Sequence, residues 1–179
     1  MARIRKAREA ARALLEELGI DTVPVPVDWI AEQLGANVMY PSELSDNVSG
    51  VLVPTGSGRW IIGVNAKHAE TRQRFTIAHE IGHLRLHGYT TPHADGQYLL
   101  RMRNERSSDG SVDEEIEANQ FAAELLMPAG VLRREVANSR IEYAAWDGEH
   151  YDPDIELLAR KFRVSKQSLT LRLSSLGLL

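Results

Sequence analysis

Two histidines four residues apart, with a glutamate beside the first, are the residues of this chain whose types and spacing most directly imply chemistry: His79-Glu80-Ile81-Gly82-His83. On a helix, residues four apart lie about 40° apart around the axis and roughly 6 Å apart along it, so both imidazoles leave one face and can bind one ion. Glu80 can then reach a water held at that ion, bind it by hydrogen bond and take its proton. A divalent cation lowers the pKa of such a water from about 15.7 to about 7 and polarises a neighbouring carbonyl. This is the arrangement of metal-dependent peptidases, with Glu80 as the catalytic base. Three fixed positions also arise by chance, but these lie in an apolar run from Phe75 to Leu84. A buried glutamate between two histidines is costly there without a partner charge, so a pair that merely hydrogen-bonds in a core fits less well.

A hydrolytic zinc site needs a third protein ligand and keeps a fourth position open. The chain has no cysteine, which excludes thiolate ligands, a disulfide framework and a cysteine nucleophile together. The stretch Asp113-Glu114-Glu115-Ile116-Glu117-Ala118-Asn119 supplies four acids, and Ile116, Phe121, Ala122 and Leu125 mark its inward face. Glu115 and Asn119 share a helical face, so Glu115 is expected as the third metal ligand and Asn119 as the residue that orients a ligand histidine from behind. The remaining acids read as solvated charges at a helix N-terminus. A His2Glu set without sulfur suits Zn2+ best, although other divalent ions fit. His87 lies a further turn along the helix, too far to join both other histidines on one ion, and reads as a residue behind the ligands or at the surface. His68, His93 and His150 fall in expected loops. One of them, or Tyr98, is a candidate to stabilise an oxyanion, and the sequence does not choose among them.

The elements that must position these groups are legible in outline. Apolar residues at helical spacing from Ile4 to Leu18 predict a first helix stopped at Gly19, and Val27 to Leu34 a second stopped at Gly35. Val38 to Tyr40, Val48 to Val53 and Trp60 to Val64 read as strands of a small antiparallel sheet. Arg72 to His87 is the motif helix, closed by Gly88. Tyr89 to Asp113 reads as a long polar loop, and Glu114 to Leu126 as the helix bearing Glu115. A loose segment through Tyr143 and Trp146 then leads to two C-terminal helices, Asp154 to Phe162 and Lys166 to Leu173. The expected class is α+β, a zincin-like metallopeptidase domain over residues 1–130 in which the sheet packs on both ligand-bearing helices. Residues 131–179 form a helical tail on the same unit. Trp60 to Val64 is the candidate edge strand for an extended substrate.

At 179 residues, with 43% hydrophobic and 26% charged residues, the chain fits an ordinary globular protein. No apolar stretch serves as a leader or membrane span, so a cytoplasmic location without membrane contact is expected. A net charge of −4 argues against a surface devoted to nucleic acid. The basic cluster Arg3, Arg5, Lys6, Arg8 and Arg12 reads as a solvated helix face. The tail from Ile155 to Leu173 has the rhythm of a helix-turn-helix, with Val164-Ser165 as turn and N-cap, and Lys166, Gln167 and Arg172 as candidate phosphate contacts. DNA contact through it is the less favoured reading; packing or substrate docking is preferred.

Taken together, Arg74-Phe75-Thr76-Ile77-Ala78-His79-Glu80-Ile81-Gly82-His83 and Glu117-Ala118-Asn119-Gln120-Phe121-Ala122-Ala123-Glu124-Leu125-Leu126-Met127-Pro128 resemble the ImmA/IrrE family of bacterial and phage metallopeptidases. The resemblance covers roughly residues 5 to 130. It implies His79, His83 and Glu115 as metal ligands and Glu80 as general base, in agreement with the facing argument. It also implies a protein substrate, a helix-turn-helix repressor, cleaved for a regulatory or stress-response purpose. The alternative from another class is a non-catalytic metal-binding regulator, an antirepressor or DNA-binding protein.

Overall fold

A computed structural model describes residues 2–88, 92–94, 109–139 and 153–179. The elements run α1 (Ile4–Glu17), α2 (Val27–Gln33), β1 (Ala36–Met39), β2 (Gly50–Pro54), β3 (Trp60–Val64), α3 (Glu70–Leu86), β4 (His93–Ala94), α4 (Asp109–Leu126), α5 (Ala129–Ala137), α6 (Pro153–Phe162) and α7 (Lys166–Ser175). The architecture is α+β, as expected, but the small sheet packs on α2 and α3 rather than on both α3 and the helix bearing Glu115.

The sheet order is β1-β3-β2-β4. It is mixed rather than antiparallel, because β1 pairs with β3 in parallel while β2 is antiparallel to both β3 and β4. β3 therefore has a neighbour on each side, and the expectation of Trp60 to Val64 as a substrate-accepting edge is overturned. The outer strands among the described residues are β1 and β4. β4, with its partners Val51 and Leu52 on β2, lies within the segment read as a continuous loop. The inward side of the sheet, Leu52, Ile62 and Val64, shares one buried cluster with Ile77, Ala78 and Ile81 of α3.

Helix α1 buries Ala7, Ala11, Leu14 and Leu15. Its basic residues correct the solvated-face reading in part, because three of them reach α4. Arg3 pairs with Glu117, Arg8 donates to Gln120, and Arg12 lies 3.7 Å from Glu124. Arg5 remains exposed, with a side chain 90% accessible. α4 begins at Asp109, five residues before the expected start, and α5 was not anticipated. Pro128 precedes α5, and Leu132 and Val136, four apart, bury its inner face. Ile155, Leu158, Phe162, Leu169 and Leu173 of the last two helices join the same buried cluster as α1 and α3. Ser165 caps α7 by accepting from the Ser168 N–H at 3.0 Å. Arg172 is not a phosphate contact: it is 3% exposed, its Nε donates to the Met127 carbonyl, and it pairs with buried Glu124. Among the described residues, no helix is long and apolar enough to cross a membrane.

Candidate metal centre

The site is built where α3 crosses α4. His79 and His83 of α3 both face Glu115 of α4, and His79 also meets Asn119 one turn further along α4. Side-chain bulk at the crossing would hold them apart. Gly82 removes it: a Cβ there would lie 3.2 Å from both the Ala118 Cα and the Phe121 ring. Mid-helix glycine costs helix propensity, and what it gains here is close approach of the two helix backbones that carry the candidate donors.

Across that crossing the His79 and His83 Nε2 atoms lie 2.9 Å apart. The Glu115 carboxylate faces both, with Oε2 3.2 Å from His79 Nε2 and Oε1 3.2 Å from His83 Nε2. All three residues are buried, and one donor atom from each falls within a mutual distance of 4.8 Å. Two imidazole nitrogens and a carboxylate oxygen converging on one buried point fit a zinc-like cation, since such donors otherwise face solvent or each pair separately. Behind the ligands, Asn119 Oδ1 lies 3.1 Å from His79 Nδ1 and can accept its proton, leaving the Nε2 lone pair directed at the site.

Glu80 is fully buried on α3. The start of β2 lies directly against it: a Cβ at Gly50 would fall 2.9 Å from Glu80 Oε1 and 2.4 Å from Thr76 Cγ2. The loop delivering Gly50 is pinned by buried Asn65, whose amide donates to the carbonyls of Ser45 and Val48 while its oxygen accepts from the Lys67 N–H. The sheet thus sets the position of the carboxylate beside the cluster.

The solvated reading of Glu117 is corrected. It is 3% exposed and accepts from the Arg3 main-chain N–H at 2.7 Å and from its guanidinium at 3.0 and 3.1 Å. The Arg3 hydrogen bonds hold its carboxyl at about 2, below the ordinary 4.5. His87 lies between this pair and the cluster, with Nδ1 3.0 Å from His83 Nδ1 and Nε2 3.3 Å from Glu117 Oε2. Of the oxyanion candidates, Tyr98 and His150 lie outside the described residues. His93 falls on β4 opposite Leu52, and His68 is half-buried after β3.

Sequence reasoning missed Gly50, Gly82 and Arg3. A glycine inside the apolar motif helix was a signal for Gly82. For Arg3, 114 residues from Glu117, there was none.

Fold and site together define a zincin-like peptidase domain with a candidate His-His-Glu metal centre. The chain belongs to the Peptidase_M78 family, described as the IrrE N-terminal-like domain, whose sequence pattern matches residues 31–174, in agreement with the resemblance carried by the two motifs. No curated protein sequence matches the chain. A solved structure titled Mycobacterium tuberculosis transcriptional regulator is similar in fold, with a TM-score of 0.62 at 21% identity. The match covers 95% of this chain and 46% of that one, so the chain spans about half the length of that regulator.

Proposed function

We propose that the protein is a zinc-dependent endopeptidase that cuts a protein substrate, a helix-turn-helix repressor, in a regulatory role. The observation that carries this reading is the convergence of His79 Nε2, His83 Nε2 and the Glu115 carboxylate on one buried point, with buried Glu80 next along the helix. A cation held by the three ligands would supply electrophilic activation of the scissile carbonyl and of the attacking water. Glu80 takes the proton of that water as it attacks and returns it to the departing amide nitrogen, so one carboxylate serves as base and then as acid. Asn119 keeps His79 in the tautomer that presents Nε2. An extended substrate would pair with β4, which among the described residues is the outer strand beside the Gly50 end of β2.

The repressor as substrate rests on the resemblance to the ImmA/IrrE family. The similarity to a structure titled a transcriptional regulator also favours a second reading, in which the domain keeps the metal and acts by binding alone. Glu80→Gln separates the two. With zinc content unchanged, it should lower peptide hydrolysis by about 10²–10⁴-fold. A regulator that acts by binding would keep its full effect, and that result would refute the enzymatic reading.

A further inference from the structure

We infer that His87, Glu117 and Arg3 form a relay that fixes the ring orientation and tautomer of His83, so that the N-terminal segment of the chain positions a metal ligand. The inference rests on reading His79, His83 and Glu115 as a metal site. His83 Nε2 faces His79 Nε2 at 2.9 Å and Glu115 Oε1 at 3.2 Å. To offer a lone pair there, the neutral ring must carry its proton on Nδ1. That Nδ1 lies 3.0 Å from His87 Nδ1, and a hydrogen bond between the two nitrogens holds one proton. If His83 donates, His87 Nδ1 accepts, and the His87 proton must then sit on Nε2.

His87 Nε2 lies 3.3 Å from Glu117 Oε2. An ionised carboxylate only accepts, so this contact calls for a proton on His87 Nε2. The far end of the chain of contacts therefore dictates the near end. The opposite arrangement, with the His87 proton on Nδ1, would set a lone pair against the carboxylate and drive the His83 proton onto Nε2, into the site. Glu117 is itself held from two directions by Arg3, through the main-chain N–H and the guanidinium. The side chains of His87 and Glu117 are 1% and 5% exposed, so water does not readily replace either partner. His79 reaches the same end in one step through Asn119, whereas His83 needs three residues from three parts of the chain.

The test compares His87→Phe and His87→Gln with the wild type, using zinc alone as the probe. Phenylalanine fills the space but cannot accept from His83 Nδ1. It should weaken zinc affinity, read by chelator competition, by about 10–100-fold. Glutamine offers an amide oxygen to His83 and an amide N–H to Glu117, and should recover most of that loss. Long-range nitrogen-15 correlation spectra of the zinc-loaded wild type should report His83 protonated at Nδ1 and His87 at Nε2. Undiminished zinc affinity in His87→Phe, or a His87 ring protonated at Nδ1, would overturn the relay. Should His87→Phe fail to fold, His87→Gln and the wild-type spectrum still decide. A wild type that takes up no zinc would sink the metal site separately; the relay is then judged in the metal-free protein, where His87 protonated at Nε2 supports it and at Nδ1 refutes it.

Discussion

On the proposed mechanism, replacing Gly50 by alanine should displace Glu80 from its place as base while sparing His79, His83 and Glu115. The new methyl would start 2.4 Å from Thr76 Cγ2 and 2.9 Å from Glu80 Oε1, against ordinary carbon contacts of about 3.5–4.0 Å. More than an ångström must be found. Thr76 is 3% exposed on α3 and its branched side chain has few rotamers, while β2 is held in register by Val64 across the sheet. The backbone of β2 and the Glu80 carboxylate must therefore yield together. Overpacking of this kind costs about 1–3 kcal/mol of stability. A displacement of the base by about 1 Å costs up to about 100-fold in turnover. The assay is thermal unfolding, zinc affinity and hydrolysis of an unstructured protein, measured in parallel. Zinc affinity should fall far less than turnover, because neither bad contact is with His79, His83 or Glu115. Thr76→Ala in the Gly50→Ala background removes the worst contact and should restore most of the stability. The carboxylate contact remains, so turnover should stay low. A Gly50→Ala protein with wild-type melting temperature and turnover would refute the argument.

Two further outcomes follow from ion pairs at the helix interfaces. Arg172→Ala removes the buried guanidinium facing Glu124 and leaves Arg12 at 3.7 Å as its remaining cation, so it should cost at most about 3–5 kcal/mol in denaturant unfolding, whereas replacing both Arg172 and Glu124 with apolar residues should cost far less. Glu117 is held at about 2, below its ordinary 4.5, so its stabilising contribution is complete above pH 4.5 and is lost as pH falls from 4.5 towards 2. Because Arg3 supplies the hydrogen bonds that lower the Glu117 carboxyl, Arg3→Ala should remove much of that contribution. In metal-free protein, the stability gap between wild type and Arg3→Ala should narrow over that same interval of pH; a constant gap would contradict the assignment.

Local signals carried the helices and the grouping of His79, His83 and Glu115. Gly19, Gly35 and Gly88, all with positive φ, stop the first three helices where their residue type implied. The spacing of His79 with His83, and of Glu115 with Asn119, placed each pair on one helical face before any tertiary contact was known. Strand direction was not legible. Alternation identifies a strand but carries no sign of whether its neighbour runs with or against it, so the parallel β1-β3 pair and the interior place of Trp60 to Val64 stayed hidden. The start of α4 was obscured by Gly110 and Ser111, weak helix formers that belong to the helix nonetheless. Arg3 and Glu117 look like ordinary surface charges in sequence; only the docking of α1 on α4 makes them partners.

On the proposed metal-binding reading, the crossing at Gly82 also ties metal capture to folding. His79 and His83 need only one helix to come together, but Glu115 arrives when α4 seats against that glycine. An unfolded chain therefore presents an incomplete chelate, and a metal that prefers all three donors adds its differential affinity to the folding free energy. Chelation would then lower the unfolding free energy by that same amount, read as a fall in melting temperature.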